Sequence, residues 1–364
     1  MTTLTRHDVA ETFNTAGLAP EDDLALTGPH PEDPEASETF AVWLYDGERD
    51  LGMTLRIHPD RGIASGWATL FLPGGRIVNA EPEQAPFDRP DQPETEHVKY
   101  RCVEPFRRWT YRLVDLPVAE TTDEAMASGE VVWGEPTTTV SLELDGTTVA
   151  PAWIQGSLLP EAAKAMEQRV GLWIAGRLNA GMSRTAFRYD QALSARGTVR
   201  VGDETFEFHG HGLRGHVRGV RRLDGFKSHT WVGAVFPASG RAVGLQCHIG
   251  HDTPGGYEFS ESYVYQDGQL HATRAIYAPP VSRDDPHAPF VIEVACDALG
   301  LTRITGHDAR VQWISMGALG LGTPAPDTMR RLGRVADAPT AMSQAVSCFD
   351  WDGDPGYGVV ERSG

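Results

Sequence analysis

The chain has 364 residues, 40% of them hydrophobic and 23% charged, with a formal net charge of −18. That acidity repels nucleic acid and anionic membrane surfaces, so neither is an expected partner. Cys102, Cys247, Cys296 and Cys348 show no CxxC spacing, which argues against a zinc ribbon or a disulfide frame.

The opening residues MTTLTRHDVAETF lack a basic start leading into an apolar run. No apolar stretch nears the roughly 20 residues that span a bilayer, so a cytoplasmic protein without membrane insertion is expected. Residues 1–37 read as a short helical start followed by PEDDLALTGPHPEDPEAS, an acidic, proline-containing arm expected on the surface. From Glu38 the pattern changes. ETFAVWLYD, LGMTLRIHP, GIASGWATLFLP and GRIVNAEPE are short, aromatic or β-branched, and punctuated by Gly, Pro, Asp or Asn. Such runs predict antiparallel strands joined by hairpins. HVKYRCVEPFRRWTYRLVD and TTTVSLELDGTTVAPAWIQ continue the series, and Asp145-Gly146 is expected to be a hairpin turn.

PEAAKAMEQRVGLWIAGRL, from Pro160 to Leu178, has Pro at its start, helix formers throughout and apolar residues at helical spacing. It predicts one helix joining two β-halves, with Leu172, Trp173 and Ile174 packed on the sheets. Strands then resume to the C-terminus. Many short strands and one helix predict an all-β protein of sandwich or barrel class. The expected divisions are 1–37, an arm; 38–180, a β domain with its helix; and 181–364, a second β domain carrying the site.

The segment His209–Gly219, HGHGLRGHVRG, is the densest in chemistry. Its glycines give only a partial phosphate-loop spacing, and strand-like residues follow them where a helix N-terminus would be required. His209 and His211 share one face of a strand and could ligate a metal, with His216, His248, His251 or Glu261 as third ligand. The neighbouring arginines oppose a cation there. On a strand, Arg214, His216 and Arg218 also share a face, and a buried row of that kind needs anionic company. Nine basic and five acidic residues lie between Gly181 and Thr230, a local reversal of the overall charge. Two readings stay open for the row: a solvent-facing hairpin paired to Glu204, Glu207 and Asp224, or a metal-free acid–base site in which Arg grips an anion and His216 moves a proton.

Further along, GYEFSESYVYQ places Tyr257, Phe259, Glu261, Tyr263 and Tyr265 on one face, an acid within an aromatic row. His229 and Trp231 share a face of the preceding run. In DWDGDPGYGVVE, Asp350, Asp352, Asp354 and Glu361 hold four positions of a calcium loop, but Pro355 occupies its obligatory glycine position, so a hairpin is expected. No GxSxG, HExxH, GxxxxGK[ST] or complete GxGxxG is present, so the expected chemistry is cofactor-independent.

Residues 210–221, GHGLRGHVRGVR, resemble the signature G-x-G-x-R-D-H-S-W-G-x-R of lipocalin-like proteins related to carotenoid hydratases and tocopherol cyclases. Glu104-Pro105 with Arg107-Arg108-Trp109 is similar to that family's E-P-x-R-R-W strand. Phe71–Arg76 is similar to its L-F-x-P-D-G-R hairpin. Tyr189-Asp190-Gln191 resembles the strand before the signature, and Asp352-Gly353 through Gly358 with Glu361 resembles its C-terminal motif. The signature's Asp is Gly215 here and its Trp is Arg218. The resemblance spans about residues 38–364 and implies two consecutive lipocalin-like antiparallel β-barrel or sandwich domains around a pocket for a hydrophobic molecule. It also implies acid–base work on an alkene by groups around the signature.

The combined expectation is a lyase, hydratase or isomerase acting on a hydrophobic or aromatic small molecule with an anionic or phenolic group. His216, Arg218, Glu261 and Tyr263 are the expected catalytic residues, and Arg214, His229, Trp231 and Tyr265 the expected substrate contacts. A non-catalytic carrier or sensor and a metal enzyme built on His209 and His211 are the alternatives. A homo-oligomer is compatible with the sequence.

Overall fold

The computed structural model describes residues 16–29, 36–122, 124–125, 135–159, 161, 187–219, 226–250, 257, 259–315 and 341–364. After a 3₁₀ turn at Pro20–Asp23, eleven strands follow: β1 (Ser37–Asp46), β2 (Leu51–Asp60), β3 (Ile63–Leu72), β4 (Arg76–Asn79), β5 (Glu83–Pro86), β6 (Val98–Glu104), β7 (Arg108–Thr122), β8 (Thr138–Thr148), β9 (Trp153–Ile154), β10 (Phe187–Val201) and β11 (Glu204–Gly219). Strands 1, 2, 3, 4, 7, 8, 10 and 11 pair in that order, and β11 returns to β1, which closes an eight-stranded antiparallel barrel. The second barrel is β12 (Phe226–Phe236), β13 (Arg241–Gly250), β14 (Phe259–Gln266), β15 (Gln269–Tyr277), β16 (Phe290–Cys296), β17 (Gly300–Ser315), β18 (Ala341–Trp351) and β19 (Asp354–Ser363), closed by β12 against β19. Both are antiparallel throughout, so the protein is all-β with two barrels. Among the described residues, no helix is long and apolar enough to cross a membrane.

Turn chemistry sets much of this. Arg61-Gly62, Asp267-Gly268 and Asp352-Gly353 have positive φ at both positions. This is the two-residue turn whose twist matches antiparallel strands, and it joins β2 to β3, β14 to β15 and β18 to β19. The last of these confirms a hairpin where the calcium spacing occurs, with the Gly353 amide donating to Asp350 Oδ1 at 3.0 Å.

The expected turn at Asp145-Gly146 is not a turn. Thr138–Thr148 is one strand, and a Cβ at Gly146 would lie 2.9 Å from the Tyr111 ring. Glycine is there for close packing. The expected division at residue 180 also moves. β10 and β11 complete the first barrel, so the passage between barrels falls in 220–225. Residues 162–186, which hold nearly all of the expected helix, lie outside the described residues. In chain order they separate β9 from β10, both in the first sheet, and so do not join the barrels. Pairing decides barrel membership, and the local change to helical spacing carries no information about it.

Barrel one is filled by Phe40, Val42, Leu44, Leu55, Leu70, Tyr111, Leu144, Leu193 and Phe208 among others; barrel two by Val232, Leu245, Val264, Ile292, Ile304, Phe349 and Val360. β7 alternates buried and exposed residues, as a strand with one wet face must. By contrast β1, β2 and the second half of β11 are buried on both faces. Outer faces of the first sheet pack on barrel two: Trp43 of β1 and Leu213 of β11 meet Trp231 and Val359, and Trp153 of β9 and Ala192 of β10 meet Val235 and Tyr263.

Candidate functional site

Register fixes the orientation of the signature strand. In β11, Arg214, His216 and Arg218 stand opposite Val42, Phe40 and Glu38 of β1 and share their face, the interior of barrel one. All three are buried, His216 completely. The anionic company that such a row requires comes from the chain itself. Arg214 donates to Asp23 and to Gln191 Oε1 (2.9 Å), and its guanidinium lies 4.8 Å from the Trp109 ring centroid. Arg218 donates from Nε to Glu38 Oε1 (2.9 Å) and also to the Leu24 carbonyl (2.5 Å). His216 sits between them. Its Nε2 is 2.7 Å from Glu38 Oε1, its Nδ1 is 3.3 Å from the Tyr189 hydroxyl, and Phe40 stacks on its ring at 3.8 Å. The Tyr189 hydroxyl donates to Asp23 and accepts from Arg214 at 3.0 Å. Asp23, Tyr189, His216 and Glu38 thus form one continuous polar chain inside an aromatic wall.

Burial lowers the His216 pKa to about 4, against the pull of Glu38. Burial pushes Glu38 the other way, but Arg218, His216 and the Leu26 amide together hold its carboxyl below the ordinary value. At neutral pH the ring is therefore neutral and the carboxylate charged. Nε2–H then donates to Glu38, and the Nδ1 lone pair faces Tyr189.

One of the two carboxylates that complete this site, Asp23, comes from the segment expected on the surface; the other, Glu38, stands on β1. Asp23 has no exposure, and besides Arg214 and Tyr189 it accepts from Trp109 Nε1 (3.0 Å) and the Phe106 amide (2.5 Å). The charge run Glu21-Asp22-Asp23 reads as a solvated arm because a buried acid and an exposed one look alike in sequence. The signal that could have found it was the row's unmet demand for carboxylates.

Glu261, Tyr263, His229 and Trp231 are on the far side of the barrel wall, in the layer between the barrels. Tyr265 is half-buried at its edge. The structure therefore groups Arg214, His216 and Arg218 together, and separates them from the other five. Glu261 accepts from Trp153 Nε1 (2.7 Å), and from the amides of Gly156 (2.6 Å), Leu158 (2.8 Å) and Leu159 (3.0 Å). Burial pushes its carboxyl upward while these donors oppose the shift. His229 Nε2 lies 3.0 Å from Glu361, and Trp231 donates to Asp190 at 3.0 Å. His209 and His211 face away from barrel one's interior and so away from His216; their rings are 5.0 Å apart. Among the described residues, no three His, Cys, Asp or Glu side chains gather as a metal set.

Residues 19–363 match the family described as Domain of unknown function (DUF7064). The chain belongs to that family. No curated protein matches the sequence. Among solved structures, NE1406 of Nitrosomonas europaea, described as an AttH-type protein, is 13% identical with a TM-score of 0.54, covering 95% of this chain and 99% of that one. Kievitone hydratase of Nectria haematococca is 8% identical with a TM-score of 0.48, covering 95% and 92%. The first shares the two-barrel fold with the DUF7064 chain.

In the DUF7064 chain Glu261 uses all four carboxylate acceptor positions to hold residues 153–159 against barrel two. Glu261→Gln keeps one acceptor oxygen and puts an NH₂ group against donors. It is expected to cost about 2–3 kcal/mol in urea unfolding, and a loss below about 0.5 kcal/mol would remove Glu261 as the anchor.

Proposed function

We propose that this DUF7064 protein is an acid–base enzyme of the lyase, hydratase or isomerase class, acting on a hydrophobic or aromatic small molecule inside barrel one. One observation carries the reading: His216 is a fully buried imidazole with Nε2 2.7 Å from a carboxylate and Nδ1 turned to a hydroxyl. In that arrangement Nδ1 takes a proton from water or a substrate hydroxyl, and Glu38 stabilises the imidazolium that forms. Arg218 holds Glu38 ionised. On the other side, the Tyr189 hydroxyl donates to Asp23 and accepts from Arg214; turning its single O–H away from Asp23 would supply the matching donor. Phe40, Phe187 and Trp109 supply an apolar wall, which strengthens each of these interactions by excluding water. The roles first assigned to Glu261 and Tyr263 pass in this reading to Tyr189 and Asp23, which lie on the same side of the wall as His216.

The test is product formation from a panel of conjugated and isoprenoid alkenes and hydroxylated aromatics in ¹⁸O-water. His216→Ala is expected to reduce turnover by ~100-fold or more, while His216→Ala with unchanged turnover would end the proposal. A second reading, a binding protein without chemistry, draws on the closure of the row by residues 19–26, which leaves Arg214 and Arg218 paired within the chain. Ligand-dependent stabilisation without product would favour it.

A further inference from the structure

The charges between the barrels pair with one another at 3.6–3.8 Å, yet they leave individual donor and acceptor atoms unused. On the outer face of β2, the Arg56 guanidinium is 5.0 Å from the Trp43 ring centroid and 5.7 Å from that of Trp67, at 4% exposure. Its Nε has no hydrogen-bond partner, and Glu361 Oε2 lies 3.6 Å from its Nη2. Glu361 is already engaged by His229 and Gln344. Arg188 of β10 lies 5.1 Å from the Trp231 ring, with its buried Nε unpartnered and 3.8 Å from Asp190 Oδ2. Asp190 Oδ2 accepts from Trp231 and from Gln155 (3.4 Å), but Oδ1 accepts from nothing. The Trp43 indole N–H and the Tyr263 hydroxyl are buried and unpartnered too.

Arg56, Arg188 and Asp190 lie around one pair of indoles, Trp43 and Trp231, whose rings meet edge-on at 4.7 Å, and Tyr263 packs nearby on Trp153. Five of the nine buried polar side-chain atoms without a partner, among the described residues, belong to this layer. A buried polar atom left without a partner is destabilising, so their concentration marks a place shaped for something other than packing. Gly215 contributes to the shape. A Cβ there would come within 2.8 Å of Asp190 Oδ1, so glycine leaves room for that carboxylate. Three unmade N–H donors, two of them on guanidiniums, call for an anionic oxygen. The indoles and Tyr263 call for a flat apolar body, and Asp190 Oδ1 can meet a hydroxyl on it.

We propose that the layer between the barrels is a second ligand site, separate from the His216 row, for an aromatic carboxylate bearing a hydroxyl group. Arg56 and Trp43 hold the carboxylate, Arg188 adds charge from the rim, Trp67 and Trp231 flank the ring, and Asp190 takes the hydroxyl.

The experiment is calorimetric titration of the full chain with 4-hydroxycinnamate, cinnamate and cinnamamide, with thermal unfolding in parallel. Saturable binding of 4-hydroxycinnamate at one site per chain is expected, with a raised Tm. Cinnamate should bind several-fold more weakly, and cinnamamide at least 10-fold more weakly. Arg56→Met should weaken the acid at least 10-fold; if that variant does not fold, Arg188→Met, at a half-buried position, should weaken it several-fold. His216→Gln should bind as the parent does, which separates this site from the proposed reaction. No saturable binding of any probe, equal affinity for acid and amide, undiminished binding in both arginine variants, or loss of binding in His216→Gln would each overturn the proposal.

Discussion

Replacing Asp23 by Ala is expected to destabilise the protein by about 3–5 kcal/mol. The side chain has no exposure and receives four donors, from Arg214, Tyr189, Trp109 and the Phe106 amide. Its loss leaves a guanidinium inside a barrel with Gln191 Oε1 as its remaining side-chain carbonyl acceptor. The penalty of an unpaired buried charge exceeds the net worth of the pair, so removing both partners should cost far less. Asp23→Ala combined with Arg214→Met should recover most of the loss. Urea midpoints at one pH measure both, with an unchanged m-value showing that the native state is still compact. A cost below about 1 kcal/mol for Asp23→Ala would mean that residues 19–26 do not plug the barrel in solution.

The same aspartate shows where the sequence stopped being informative. Local signals were partly readable: the short strand runs and Pro355 against a calcium loop held, whereas Asp145-Gly146, the same dipeptide that turns β14 into β15 and β18 into β19, lies inside β8. These depend on neighbours within a few residues, and period two and turn chemistry report them directly. Which barrel a strand joins depends on a partner far away. β11 closes on β1 across more than 160 residues of chain, and nothing in either strand names the other. The Arg-His-Arg row could be placed on one face from its spacing alone, together with its need for carboxylates. The identity of those carboxylates could not, because Asp23 and Glu38 are ordinary acids until the fold encloses them. Arg56, Arg188 and Asp190 escaped for a related reason. Each stands on an outer barrel face, which alternation marks as wet, and only the docking of a second barrel makes that face dry.

Between pH 6.5 and about 4 the parent protein is expected to lose on the order of 3 kcal/mol of stability that a His216→Gln variant does not lose. The folded-state pKa of His216, about 4, is below its unfolded value of 6.5 because burial in barrel one disfavours the imidazolium. In that window the unfolded chain binds the proton and the native one does not, so stability is fully present above pH 6.5 and falls as the pH drops towards 4. Glu38 and Glu361 act in the same direction at lower pH, since both are held below the ordinary carboxylate value, Glu361 at about 2. Their contribution is present above about 4.5 and disappears as the pH falls further. Asp190 and Glu261, pushed upward by burial, act oppositely and partly mask the decline. His211 titrates alongside, lowered to about 4 by burial and by His209. The total slope therefore mixes several groups, and the informative quantity is the difference between parent and variant. Glutamine retains a donor for Glu38 but cannot titrate. Parallel urea series at pH 7.0, 6.0 and 5.0 should show parent and His216→Gln converging as the pH falls, whereas His211→Gln should leave the His216 share of the slope intact. Curves for parent and His216→Gln that stay a constant distance apart would mean that the imidazole is not held neutral beside Glu38, and the proposed proton acceptor would lose its physical basis.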